Sequence, residues 1–297
     1  MNNPDDISSI QSSEIRPSDS KDYKCAPNKR FENGSCIPLP LLIGMARAYN
    51  EENKNTIKLS NTLETLNPKK YKRYLLKEFS KRLDQVCDNQ RCWLRQDFTK
   101  RMDNLMEEDL KKNTFRPKGP DGKFEWLNTF NIMDVMSQYE KKYKEFKFLG
   151  AVPIDFDDLP NLGIKDLDFH DMMEKGKTKF GIVFNLDEHY KSGSHWFSLF
   201  VDLNEGIIFF MDSYGSQAES RIRKLMRRIA KFIKEELNKE PIVDYCRVRH
   251  QKDGFSCGLY AISFIIKMLE GHKFEEICND KNFDDKLMVL NREIFFT

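Results

Sequence analysis

Apolar residues recur along this chain in two rhythms, and the change from one to the other divides it. From Cys25 to about Thr114 they return every three or four residues, the spacing of amphipathic helices. The spacing predicts one helix over Pro38 to Asn50, a second over Lys70 to Cys87 behind Pro68, and a third from Trp93 to about Leu110. Residues 114–124 (TFRPKGPDGKF) interrupt this with two prolines and two glycines and read as a linker. A further helix follows over 125–143 (EWLNTFNIMDVMSQYEKKY). Residues 151–179 hold few long apolar runs and read as loop, with a short helix near DLDFHDMMEKG. From Phe180 the rhythm changes to short apolar runs rich in β-branched and aromatic residues. FGIVFNL (180–186) predicts a buried strand, and WFSLFVDL (196–203) and IIFFMD (207–212) predict a hairpin around Asn204-Glu205-Gly206. QAESRIRKLMRRIAKFIKEELNK (217–239) is the cleanest amphipathic helix, with Ile222, Leu225, Met226, Ile229, Phe232, Ile233 and Leu237 on one face. VDYCRVR (243–249) predicts a last strand, and GLYAISFIIKMLE (258–270) a helix apolar nearly all round. The tail after Gly271 predicts no element. Residues 1–24 are polar and rich in Ser and Asp, the composition of a disordered tail.

The organisation expected is therefore a tail (1–24), a helical accessory domain (25–113), a linker (114–124) and an α+β domain (125–297) with a mixed central sheet flanked by helices.

Strand order carries chemistry. Two strands joined by so short a loop are antiparallel, so His195 at the start of the first and Asp212 at the end of the second lie at the same end of the hairpin. Asp202 is seven residues along the strand from His195, about 23 Å away at roughly 3.3 Å per residue, and cannot orient it. A tight turn would pair Asp212 with Ser198, so the strands are expected to slip, bulge or splay near the site. Cys257 opens the apolar helix, where unpaired N–H groups and the positive end of the dipole favour thiolate. Gln251, six residues upstream on a polar turn, can offer its amide N–H to a developing oxyanion. A nucleophile (Cys257), a base (His195), an orienter (Asp212) and an oxyanion donor (Gln251) make up a cysteine hydrolase. Each residue alone has a bland reading: a small buried hydrophobe, a strand-end histidine, a strand-terminating turn residue. His170 is a rival that nothing strand-like positions beside a cysteine; His189 and His250 are nearby decoys, and His250 points to the opposite side from Gln251 if that segment is extended.

Composition narrows the class further. A formal net charge of +2 argues for no nucleic-acid partner globally. No run approaches eighteen apolar residues, so no membrane partner is expected. The start lacks the basic and apolar regions of a secretory signal. Seven cysteines at irregular spacings then suggest a reducing compartment, hence a cytoplasmic protein with mostly free thiols. That compartment disfavours a Cys25–Cys36 or Cys87–Cys92 disulfide, and the same four cysteines fit no common zinc module. No cofactor or metal is expected. Lys69, Lys70, Lys72, Arg73, Lys77, Lys81 and Arg82 could form a basic stripe for weak nucleic-acid contact through 69–82, although a solvated face is the blander account.

His195-Trp196, then Asp212, then Gln251 followed by Gly254-Phe255 and Cys257-Gly258 form a pattern that resembles the ubiquitin-like-protein (SUMO) proteases and the adenovirus maturation protease of the same superfamily. The words FNI, KY, F and DF between Phe130 and Phe156 further resemble the polyprotein-processing protease of African swine fever virus and its relatives in large DNA viruses. The resemblance covers roughly residues 114–271 and implies a papain-like, adenain-like fold. It also implies that Trp126 lids a narrow slot admitting a Gly-Gly tail, with Trp196 packed behind His195 at the substrate-binding end. The expected activity is a cysteine endopeptidase cleaving after glycine, acting on viral structural polyproteins in the host cytoplasm, virus factory or virion. A deSUMOylating or deubiquitinating isopeptidase is the alternative; an effector-type acetyltransferase on the same residues and a non-catalytic nucleic-acid-binding module are further ones.

Overall fold

The computed structural model of the chain describes residues 24–297, and all but the last residue of the expected tail lies outside them. The accessory region folds as α1 (Leu39–Glu52), α2 (Asn61–Leu66), α3 (Pro68–Leu83), α4 (Gln90–Trp93), a 3-10 turn (Asp97–Arg101) and α5 (Asn104–Asn113). Their apolar faces close on one core containing Ile37, Leu42, Leu75, Phe79, Trp93 and Leu110. Pro68 opens α3, where its missing N–H costs nothing, and Asn67 caps it by accepting from the Lys70 N–H. The single helix expected over Trp93–Leu110 is broken in two. Asp103 accepts the Leu105 and Met106 N–H groups and starts α5 afresh.

One expectation about this region is corrected. Cys25–Cys36 and Cys87–Cys92 are disulfides, with Cα separations of 5.3 and 5.4 Å, leaving three free thiols, Cys246, Cys257 and Cys278. Local folding brings each pair within bridging range, which a compartment argument cannot foresee. The basic stripe on α3 is discontinuous. Lys72 is buried and its ammonium donates to the Ser35 carbonyl at 3.0 Å, while Arg82 pairs with Glu78 at 2.5 Å.

Phe115 belongs to the accessory core, and the Gln138 amide donates to the Lys112 and Phe115 carbonyls at 2.7 and 2.8 Å. Gln138 lies on α6 (Thr129–Lys142), so these bonds tie the accessory region to the rest. Beyond α6 come β1 (Phe146–Pro153), α7 (Phe169–Glu174), β2 (Lys179–Asn185), β3 (Trp196–Asp202), β4 (Ile207–Met211), α8 (Ser220–Glu235), β5 (Ile242–Tyr245), α9 (Cys257–Leu269), α10 (Phe274–Asn279) and α11 (Asp285–Phe295). The sheet runs β1-β2-β3-β4-β5, parallel at both edges and antiparallel in the middle. Alternation along β3 sorts its two faces. Trp196 and Phe200 pack in the cluster of α6 and α9, while Phe197, Leu199 and Val201 pack in the cluster of α8. The fold is therefore α+β, with a mixed sheet between helical layers.

Four elements escape the hydrophobic rhythm, the six-residue α2 among them. In β1, Gly150 at φ +126° sits in a register shift between Phe148 and Ala151 that breaks the alternation. The helices α10 and α11 are short, and each gives the core only a few residues: Phe274, Ile277 and Cys278 from α10, Met288 and Phe295 from α11.

Candidate active site

The hairpin keeps one register to its end, Asp202 opposite Ile207 and Ser198 opposite Met211. Asp212 thus follows β4 opposite Phe197, not Ser198, and no bulge is involved. The chain instead turns at once: the Gly215 N–H donates to the Asp212 carbonyl at 2.9 Å. Only glycine fits at the end of this turn, because its φ is +77° and a Cβ would lie 2.8 Å from the Arg247 carbonyl oxygen. The turn swings the Asp212 carboxylate back to His195, whose Nε2 lies 2.6 Å from Oδ1. The Tyr214 N–H and the Ser216 hydroxyl also donate to that carboxylate.

With Nε2 on Asp212, Nδ1 is the ring nitrogen left for the thiol, and His195 is hydrogen-bonded to Cys257 as well. Burial alone would discharge the ring. The hydrogen bonds and negative charge of Asp212 and Cys257 outweigh it and raise the His195 pKa to about 9. Burial likewise works against the Asp212 carboxylate, but its bonds to His195, Tyr214 and Ser216 hold its pKa below the ordinary value. The site is thus arranged to hold a protonated His195 ring against the Asp212 carboxylate. Cys257 is only 2 % exposed and is the first residue of α9, where its own N–H has no intrahelical acceptor. Gly258 brings α9 close: a Cβ there would stand 3.0 Å from the Leu127 Cβ and 3.3 Å from the Trp196 ring.

Gln251 is buried beside the turn. Its Oε1 accepts from the Ser213 hydroxyl at 2.6 Å, and its Nε2 lies 3.1 and 3.0 Å from the carbonyl and Oδ1 of Asp253. To meet an oxyanion the amide must exchange one of these contacts. Trp126 is 44 % exposed, one residue from the Leu127 that packs on Gly258. Trp196, expected behind His195 at the substrate-binding end, has almost no exposed surface. It is buried among the α9 residues, and its indole N–H donates to the Leu127 carbonyl at 2.8 Å. It is a strut beneath the Trp126 segment.

The rival groups lie elsewhere. His170 faces Glu236, His189 holds Asp155, and His250 lies 3.7 Å from the Cys246 sulfur. Asp202 caps the β3–β4 turn through the Asn204 and Glu205 N–H groups. Among the described residues no cluster of three or more His, Cys, Asp or Glu could hold a metal ion.

Sequence reasoning overlooked four residues here. Tyr214 stacks on the His195 ring, centroids 4.8 Å apart and planes 17° from parallel. Ser213 orients Gln251. Asp253 gathers the Phe255 and Ser256 N–H groups and the Ser256 hydroxyl on its carboxylate. Asp285, at the start of α11, accepts the Lys252 and Asp253 N–H groups and the Tyr260 hydroxyl. The first two follow Asp212 directly in Asp-Ser-Tyr-Gly, a turn signal that could have drawn attention to them. Asp285 offers no local cue.

Residues 182–297 match the Ulp1 protease family, C-terminal catalytic domain. The chain is 34% identical over 265 residues to a protein of Acanthamoeba polyphaga mimivirus assigned as a thiol protease, covering 86% of this chain and 87% of that one. It is 21% identical over 245 residues to the SUMO-1 cysteine protease of African swine fever virus, covering 76% and 89% of the two chains. The crystal structure of the African swine fever virus protease superposes with a TM-score of 0.61 at 19% identity, over 94% of this chain and 97% of that one. The similarity of fold thus extends through the accessory region.

Proposed function

Because the chain belongs to the Ulp1 protease family and is a cysteine-type peptidase, we propose that it is an endopeptidase cutting protein chains after glycine. The observation that carries the reading is the His195 ring held between the Asp212 carboxylate and the Cys257 thiol. His195 takes the Cys257 proton, and the thiolate attacks the scissile carbonyl carbon. The Cys257 N–H and the Gln251 amide, which gives up an Asp253 contact, stabilise the oxyanion. As the C–N bond breaks His195 returns its proton to the leaving amine, and water, deprotonated by His195, hydrolyses the thioester. Asp212 keeps the ring in the tautomer and orientation these transfers need.

Trp126 lids a slot too narrow for a side chain, which selects glycine at the cut. The virus-encoded relatives, together with the resemblance to polyprotein-processing proteases, support viral structural polyproteins with Gly-Gly-type sites as substrates. The name of the African swine fever virus relative favours a second reading, release of a SUMO-like modifier from its conjugates. Both predict glycine before the cut. Family membership sets aside the acetyltransferase alternative.

The purified protein is to be incubated with SUMO- and ubiquitin-tailed reporters and a panel of Gly-Gly-x peptides. Cleavage after glycine in the peptides, lost in Cys257→Ser, supports the reading. Turnover confined to the SUMO reporter selects the second, and full activity of Cys257→Ser eliminates the mechanism.

A further inference from the structure

Between the accessory region and α6 lies a cavity of about 490 Å³ that the catalytic reading does not use. Its wall carries six cations, Arg91 on α4 and Arg95 just after it, Lys111 and Lys112 at the end of α5, and Arg116 and Lys118 on the following segment, against one carboxylate, Asp134. Lys111 and Lys112 are partly answered by Glu107 and Glu108 on their own helix, and Lys118 by Asp121. Arg95 and Arg116 have no carboxylate partner among the described residues. The Arg116 Nη1 is buried without any hydrogen-bond partner. A buried guanidinium nitrogen left unpaired is costly, and an anion is the ligand that relieves it.

Two of the three arginines are also held in place. Arg91 lies over the Phe115 ring at 5.7 Å and Arg116 over the Tyr139 ring at 5.5 Å. Such stacking holds the guanidinium forks before a ligand arrives, which lowers the cost of binding. A second cavity, of about 410 Å³, shares Arg91, Arg95 and Lys118 with the first, so positive charge continues past one anion's reach. A volume of this size suits a small ligand.

We propose that this cleft is a binding site for a small oligophosphate, which would bridge α4 and α5 of the accessory region to α6 of the catalytic region. A concave site walled by cations favours a compact polyanion over a nucleic-acid duplex, which would meet an open stripe of cations. The phosphate chain could come from a nucleoside triphosphate or from a free inorganic chain, since the same guanidinium forks recognise both. Bound there, it draws together the elements that Gln138 already ties through the Lys112 and Phe115 carbonyls. The proposal is independent of the catalytic reading.

The full-length protein is titrated with inorganic tripolyphosphate by calorimetry and thermal shift at fixed physiological ionic strength, with orthophosphate, ATP and a short single-stranded DNA in parallel. Tripolyphosphate is expected to bind saturably, to raise the melting temperature, and to bind at least tenfold more tightly than orthophosphate. Arg95→Glu, an exposed position, should weaken it at least tenfold; Lys70→Glu on α3 should leave it unchanged. Arg116→Gln, checked for folding by circular dichroism, should weaken it similarly. Equal affinity for ATP and tripolyphosphate supports the site as a reader of phosphates alone, and tighter ATP supports it with the nucleotide as source. Absence of saturable binding, equal losses from Arg95→Glu and Lys70→Glu, or tighter binding of DNA with affinity growing with its length overturns the proposal.

Discussion

His195 is where charge, fold and proposed chemistry meet. Burial opposes its protonation, but Asp212 and Cys257 raise its pKa to about 9, above the ordinary value of 6.5. A histidine whose folded pKa exceeds its unfolded one stabilises the fold fully below the unfolded value and loses that contribution as pH rises through the folded value. Thermal stability should therefore decline between pH 6.5 and about 9, and Asp212→Asn should flatten that decline. The same proton is needed by the leaving amine, so kcat/KM should fall on the alkaline side near pH 9. In Asp212→Asn that limb should move to lower pH, with activity reduced roughly 10²–10⁴-fold. An alkaline limb that stays put would mean another group sets it. Gly258 gives a test of packing at the same scale: Gly258→Ala would press a methyl to 3.0 Å from Leu127. It should destabilise the protein by about 1–3 kcal/mol in a denaturant titration, the range of overpacked core sites.

At the scale of elements, the site is built from two turns that grip one another. The Asp212–Gly215 turn sends Asp212 to His195, Ser213 to Gln251 and Tyr214 to the face of His195. The Gln251–Ser256 turn is folded around Asp253 and pinned from behind by Asp285. The hairpin, α8 and α9 were legible in the sequence because their periodicity and burial agree. The meeting of His195 with Asp212 was legible because antiparallel pairing constrains strand ends, though the register was misjudged by one residue. Asp285 was not legible: it lies more than 30 residues from the N–H groups it accepts, and only the tertiary fold brings it there. Asp285→Asn should loosen the Gln251–Ser256 turn, lowering kcat on the order of tenfold with KM little changed. A change confined to KM would mean that Asp285 serves the substrate surface instead.

The molecule as a whole has an accessory core set apart from the two faces of the sheet, and its disulfides both lie in the accessory region. Composition suggested mostly free thiols in a reducing compartment. Pairing depends on spatial proximity, which the folds around α1 and α4 create and residue counts cannot express. Closing loops of 11 and 5 residues should stabilise by about 2–3 kcal/mol each. Dithiothreitol should accordingly lower the unfolding temperature of the accessory region, followed by hydrogen exchange at α1 and α3, while exchange in α9 changes little. Uniform loosening of α9 and α3 would instead mean that the two regions unfold as one unit.

The most direct test of the central claim uses a peptide ending in Gly-Gly that carries a thiol-reactive electrophile, with the labelled cysteine identified by mass spectrometry of the intact and digested protein. A single adduct on Cys257, formed at least a hundredfold more slowly in His195→Ala, is the predicted result. Labelling that favours Cys246 or Cys278, or a rate at Cys257 indifferent to His195, would contradict the account.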